Sequence, residues 1–129
     1  MANQFVVQLK NEPGSMATLA ETLAARGVDL RAIGGGGIGD AGHVIMTTAN
    51  DDTTRQVLDE GGYTYIEGES ILAEVDDRPG GMAALARRLA DAGVNIYGHL
   101  FLGRWGDRAM FAFVVDRPDV ARPILERKG

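Results

Sequence analysis

The sequence repeats itself, and that repeat constrains the fold more than any other feature of the chain. Pro13-Gly14-Ser15-Met16-Ala17-Thr18-Leu19-Ala20 returns as Pro79-Gly80-Gly81-Met82-Ala83-Ala84-Leu85-Ala86, an offset of 66 residues. Between 13–30 and 79–96, ten of eighteen positions are identical without a gap. Farther on the match is one of character, with Val44-Ile45-Met46 falling on Met110-Phe111-Ala112 and Val57-Leu58 on Pro123-Ile124. A period of 66 is too long for a solenoid repeat and suits a duplicated small domain. Two copies fill the 129 residues, 1–68 and 69–129.

Each copy reads as the same order of elements. Phe5–Leu9 and Ile71–Val75 are short, β-branched runs bounded by polar residues, and both predict strands. Met16, Leu19, Ala20, Leu23 and Ala24 recur at helical spacing, as do Met82, Leu85, Ala86, Leu89 and Ala90. Packing into a core explains that stripe better than a partner groove does. Gly27 and Gly93 suit the residue just past a helix end. A second strand follows over Val28–Ile33 or Val94–Phe101. A hairpin at Gly39-Asp40 or Gly106-Asp107 then leads to a third, His43–Thr48 or Ala109–Val115. A second helix is predicted over Asp51–Glu60 and Pro118–Arg127, with Pro123 shortening or kinking the latter. Tyr63–Ile66 supplies a fourth strand in the first copy. Residue 63 plus 66 is 129, the last position, so the second copy lacks its own. The order β-α-β-β-α-β predicts an α+β fold, an antiparallel sheet with helices on one face. The strand at Ile71–Val75 then has an unpaired edge, which we expect a swapped strand to fill, from within the chain or from a second chain.

Composition narrows the function. No cysteine is present, which excludes a disulfide scaffold and a thiol nucleophile. The net charge is −5, and the arginines of residues 67–129 are interleaved with acids, so no nucleic-acid partner is expected. No run approaches the ~20 apolar residues of a membrane span, and no signal-peptide pattern opens the chain. No membrane partner and a cytoplasmic location are expected.

Several motifs dissolve on inspection. Gly37, Gly39 and Gly42 satisfy G-x-G-x-x-G, but His43-Val44-Ile45-Met46-Thr47-Thr48 follows as a strand where a nucleotide site needs a helix. Gly34–Gly36 read instead as the end of a strand stripped of side chains. His43 and His99 do not correspond in the repeat and have no companion ligands, so neither a metal nor another cofactor is expected. Trp105 falls on the second copy's hairpin, where packing on a partner surface is the expected role.

The strongest candidate site is the turn before the first helix of each copy, Lys10-Asn11-Glu12-Pro13-Gly14-Ser15-Met16 and Asp76-Asp77-Arg78-Pro79-Gly80-Gly81-Met82. Asn11 and Asp77 can serve simply to organise the turn and the helix start. The same loop can also grip a small zwitterion: free N–H groups at the helix start suit a carboxylate, the side-chain oxygens of Asn11 and Asp77 suit an ammonium, and Gly14 and Gly80 permit close approach.

At these residues the chain resembles the ACT domain, an amino-acid-sensing module, in tandem over about residues 4–127. The Asp77-Arg78-Pro79-Gly80 turn, the Met/Leu/Ala helix and Gly93-Val94-Asn95-Ile96 carry the resemblance. Copy one departs from it at Asn11 and in its glycine-rich second strand. The resemblance implies ferredoxin-like βαββαβ repeats whose sheets join side by side, giving a homodimer or higher homo-oligomer. It implies a small amino acid bound between paired domains, at the Pro-Gly turn and the start of the second strand. Those positions here are Asn11, Pro13, Gly14, Ser15, Asp29 and Leu30, with Asp77, Pro79, Gly80, Gly81, Asn95 and Ile96. It further implies a stand-alone regulator of amino-acid metabolism, with a partner enzyme and no catalysis of its own. Two alternatives stand beside it: a degenerate pair that only mediates oligomerisation, and a small α+β enzyme with its site in a dimer cleft.

Overall fold

The computed structural model describes residues 2–126. The chain divides into two units, the first ending at Gly68 and the second starting at Glu69. The first unit runs β1 (Asn3–Lys10), α1 (Ser15–Ala25), β2 (Leu30–Ile38), β3 (Ala41–Thr48), α2 (Asp51–Glu60) and β4 (Tyr65–Glu69), the last residue of β4 falling at the boundary. Its sheet has the order β2-β3-β1-β4. Alternation along β1 and β3 sends Phe5, Val7, Val44 and Met46 to one face, where they meet Leu19 and Leu23 of α1 and Val57 and Leu58 of α2. Gly27, at φ 72°, closes α1, its N–H reaching the Ala24 carbonyl. Asn50 starts α2, its side chain accepting from the Thr53 N–H at 3.0 Å.

The second unit runs β5 (Ile71–Asp76), α3 (Gly81–Asp91), β6 (Ile96–Trp105), β7 (Arg108–Val115) and α4 (Pro118–Leu125), with the sheet order β5-β7-β6. Ile71, Ala73, Val75, Phe113 and Val115 form its core with Leu85 and Leu89 of α3 and Ala121 and Leu125 of α4. Pro118 stands in the first turn of α4, and Pro123 lies inside it. The helix has 8 residues against the 10 of α2, the shortening that a missing N–H predicts. Arg127, the predicted end, lies outside the described residues.

The α+β class and the three-stranded second sheet agree with the sequence reading. Three details correct it. The fourth strand is Tyr65–Glu69, two residues later than predicted, and only Ser70 parts it from β5. It does not move to β5: β4 pairs with β1 in its own unit, and among the described residues β5 pairs with β7 alone. The reason is a side-chain clamp. Arg55 of α2 forks onto both Glu67 oxygens at 2.7 and 2.6 Å, and Asn3 of β1 donates to the same carboxylate at 2.8 Å. Removing β4 would strand that half-buried cluster.

The third correction concerns register. In the first unit Phe5 faces Met46 and Val7 faces Val44; in the second Ile71 faces Phe113 and Ala73 faces Phe111. The counterparts of Val44-Ile45-Met46 are therefore Phe111-Ala112-Phe113, one residue beyond the gapless match. The extra residue is Leu102, at a register shift between Phe101 and Gly103 on β6. In addition, β2 runs to Ile38, carrying all four glycines Gly34–Gly37 in a paired strand.

Candidate functional site

The two Pro-Gly turns share one backbone design. Asn11 N–H donates to the Asp40 carbonyl at 3.0 Å, and Asp77 N–H to the Asp107 carbonyl at 2.8 Å, tying each turn to the hairpin of its own sheet. Gly14 and Gly80 then adopt φ of 90° and 89°, a left-handed conformation that glycine takes without strain, and open α1 and α3. Neither helix has a side-chain cap; the Ser15 and Gly81 N–H groups turn back to the Glu12 and Arg78 carbonyls at 3.4 and 3.1 Å, and the next N–H groups of the first turn remain available at the positive end of the helix dipole. Asn11 and Asp77 do not organise the helix starts. Their side chains reach the hairpin side instead: Asn11 Nδ2 donates to the Gly39 carbonyl at 2.8 Å, and Asp77 Oδ2 accepts from Arg104 Nε at 2.8 Å.

The first unit carries a cleft at this turn. It measures about 710 Å3 and runs from the end of β1 over Pro13, Gly14 and Ser15 to Gly62, Tyr63 and Thr64, the lead into β4. Thr64 closes that wall, its carbonyl accepting from Gln8 N–H at 2.9 Å. Lys10, Glu12 and Asp40 also line it. Among the described residues no hydrogen bond or ion pair engages those three side chains, so a cation and two carboxylates stand ready for a ligand. The sequence reading named Lys10 and Glu12 only as members of the turn and missed Asp40, Tyr63 and Thr64 as site residues; the closure of the β2–β3 hairpin onto the turn was the signal that could have found Asp40.

Asn11 lies on the far side of the turn. It lines a second cleft of about 420 Å3 with Met16, Ile33, Gly34–Gly37 and His43. Asp29 and Leu30 are at the other end of the sheet, where Leu30 faces Thr48 and the Asp29 carbonyl accepts from Ala49 N–H at 2.9 Å. The 11 residues of α1 separate them from Gly14, and at ~1.5 Å per residue that is roughly 16 Å. One small ligand within a unit cannot touch both groups. Asn95 and Ile96 are placed likewise, Asn95 N–H on Asp116 Oδ1 at 2.8 Å and Ile96 opposite Val115.

The second turn is internally neutralised. Asp76 pairs with Arg78 at 3.1 Å and with Arg108, and Asp77 pairs with Arg104. A Cβ at Gly81 would fall 2.1 Å from the Asp76 carbonyl oxygen, so the Ser15 of the first turn has no room at that position. His99 packs its ring 6.3 Å from that of Phe113. No group of three or more side chains suited to a metal occurs among the described residues. No helix there is long and apolar enough to cross a membrane.

The resolved pKa shifts sit on the seam between α2 and β4. Glu67 is held below its usual value by the Arg55 fork, against the opposing pull of burial and with help from Asn3. Arg55 is raised in turn, chiefly by hydrogen bonds to Glu67 and Asp52. Tyr65 is pushed up to about 12, chiefly by donating to Asp59 at 2.6 Å. These shifts mark a structural seam rather than a reactive centre.

By sequence, no protein-family model and no curated protein matches the chain. By structure, it is similar to the protein BT0572 from Bacteroides thetaiotaomicron, with a TM-score of 0.71 and 19% identity, covering 97% of this chain and 86% of that one. It is also similar to the regulatory subunit of aspartate kinase from Thermus flavus (TM-score 0.64, 16% identity, 98% and 92% covered). The ligand-free regulatory subunit from Thermus thermophilus matches with a TM-score of 0.59 and 18% identity, over 97% of this chain and 89% of that one. At such identities the likeness is one of fold, and the fold is that of two ACT-like repeats in tandem.

Proposed function

We propose that the chain is a regulatory module that binds a small amino acid at the Pro13-Gly14 turn and passes its presence to a partner enzyme of amino-acid metabolism. The observation that carries this reading is the 710 Å3 cleft in which unpaired charges of both signs meet an uncapped helix start. Its volume falls within the ~300–1,000 Å3 of small-molecule sites. The α1 N–H groups, Lys10 and the Ser15 hydroxyl suit a carboxylate. Glu12 and Asp40 suit an ammonium. A second domain supplying residues of the Asp29-Leu30 or Asn95-Ile96 kind would complete the enclosure, since one unit does not bring both groups to one ligand. Coupling then follows if the amino acid binds one assembly state more tightly than another.

The experiment is a thermal-shift screen of the full chain with the twenty amino acids. A rise with one or a few, lost in Lys10→Ala and in Asp40→Asn, supports the proposal; no response to any overturns it. The place of β5 as an edge strand of its sheet favours a second reading that coexists with the first, self-association by strand pairing into a homodimer or higher homo-oligomer.

A further inference from the structure

The two units fill the corresponding space beside their second strands in opposite ways. Strand registers give the correspondence. Gly35 faces Val44 as Phe101 faces Phe111, and Gly37 faces Gly42 as Arg104 faces Ala109. Val44 and Phe111 are equivalent, so Gly35 stands where the second unit has Phe101, and Gly37 where it has Arg104. In the second unit this space holds an internal stack. The Phe101 ring lies 5.5 Å from that of Phe111, and the Arg104 guanidinium stands 4.8 Å over Phe101. Arg104 is then anchored on Asp77 of the turn. The first unit has lost the ring, the guanidinium and the facing phenylalanine together, and keeps Asn11 where Asp77 stands. What remains is the 420 Å3 cleft.

Collapse does not close that space. Its floor is hydrogen-bonded sheet backbone, which does not move inward by the thickness of a ring. Its rim includes Met16 and Ile33, 51% and 43% exposed. The groups that held Arg104 in one unit have counterparts in the other. A Cβ at Gly37 would fall 2.6 Å from both Cγ and Oδ1 of Asn11, so that side-chain amide lies against the strand at Gly37. The Glu12 carboxylate lines the same cleft. Glycine backbone offers a flat face for a ring, and the Met16 thioether a soft edge.

We propose that the groove over Gly35 and Gly37 is a binding site for a small molecule that joins a flat aromatic ring to a cationic head. The ring takes the place of Phe101, and the head takes that of the Arg104 guanidinium, beside Asn11 and Glu12. The second unit carries its own occupant in the form of those two side chains, so only the first unit is receptive. This site adjoins the amino-acid cleft across the turn, with Leu9, Lys10 and Glu12 lining both.

The test is an amide NMR titration of the full chain with benzamidine, with benzyl alcohol as a ring without charge and guanidinium as a charge without a ring. Benzamidine should shift the amides of Gly34–Gly37 and bind at least tenfold more tightly than either control, leaving Gly62–Thr64 unmoved. Asn11→Asp, which restores the acid of the second turn, should tighten benzamidine at least threefold and leave benzyl alcohol unchanged. Ile33→Trp, at an exposed rim position, should abolish the shifts. The proposal is overturned if Gly34–Gly37 do not respond to benzamidine, if guanidinium alone binds as well, or if binding survives Ile33→Trp. Shifts confined to Gly62–Thr64 would also overturn it, while leaving the amino-acid reading standing.

Discussion

Glu67→Gln tests what holds the fourth strand on the first sheet. The native carboxylate accepts the Arg55 fork at 2.7 and 2.6 Å and the Asn3 amide at 2.8 Å, with its side chain 15% exposed and that of Arg55 40%. An exposed ion pair contributes ~0–1 kcal/mol, and breaking a fully buried one costs ~3–5 kcal/mol. Solvent around Arg55 draws this pair toward the lower limit. Glutamine keeps one acceptor oxygen, and a charge-assisted hydrogen bond exceeds a neutral one by ~1 kcal/mol. The expected loss is about 1–2 kcal/mol at neutral pH, or a Tm of the first unit lower by about 5–10 °C. The dependence on pH has a definite sign. Glu67 has a folded pKa below its unfolded value of 4.5, so its contribution is complete above that value and is lost as pH falls through the folded pKa. Urea unfolding of both proteins, followed by hydrogen exchange at β4 amides, should show a gap at neutral pH that narrows as pH falls below 4.5. An undiminished gap in acid, or β4 amides equally protected in both proteins at neutral pH, would refute the argument.

Further expectations follow from the same geometry. Gly14→Ala and Gly80→Ala meet no atom within 4 Å, so their cost is that of a left-handed non-glycine residue, about 1–2 kcal/mol each by denaturant unfolding. A neutral result would deny the turn its conformation. Tyr65 should ionise near 12, and stability tied to its Asp59 bond should hold below about 10 and fall as pH rises through the folded value. Absorbance titration against Tyr65→Phe reads the late phenol directly. Leu72→Lys on β5, an edge strand of its sheet, should weaken self-association in sedimentation velocity without lowering the Tm by more than a few degrees.

The helices and turns were legible because their determinants are local. Gly27 and Gly93 end their helices at positive φ, and the apolar spacing of Leu19, Leu23, Leu85 and Leu89 names the buried faces. The home of β4 was not legible, because it is decided by Arg55, Glu67 and Asn3, which meet only after folding. The cleft at the first turn was half legible. Pro13, Gly14 and Ser15 belong to one motif, but Asp40 and Thr64 arrive through a hairpin and a strand pairing. The glycine stripe is the sharpest case. A gapless comparison at 66 residues sets Gly37 on Gly103 and reads a shared glycine. The hydrogen-bond register sets Gly36 on Gly103 and Gly37 on Arg104, because the second unit carries Leu102 as an additional residue. One inserted residue in a strand changes which side chains share a face. The difference that separates the units most, an arginine stacked on a ring in one and bare backbone in the other, is therefore hidden from any comparison that lacks the pairing.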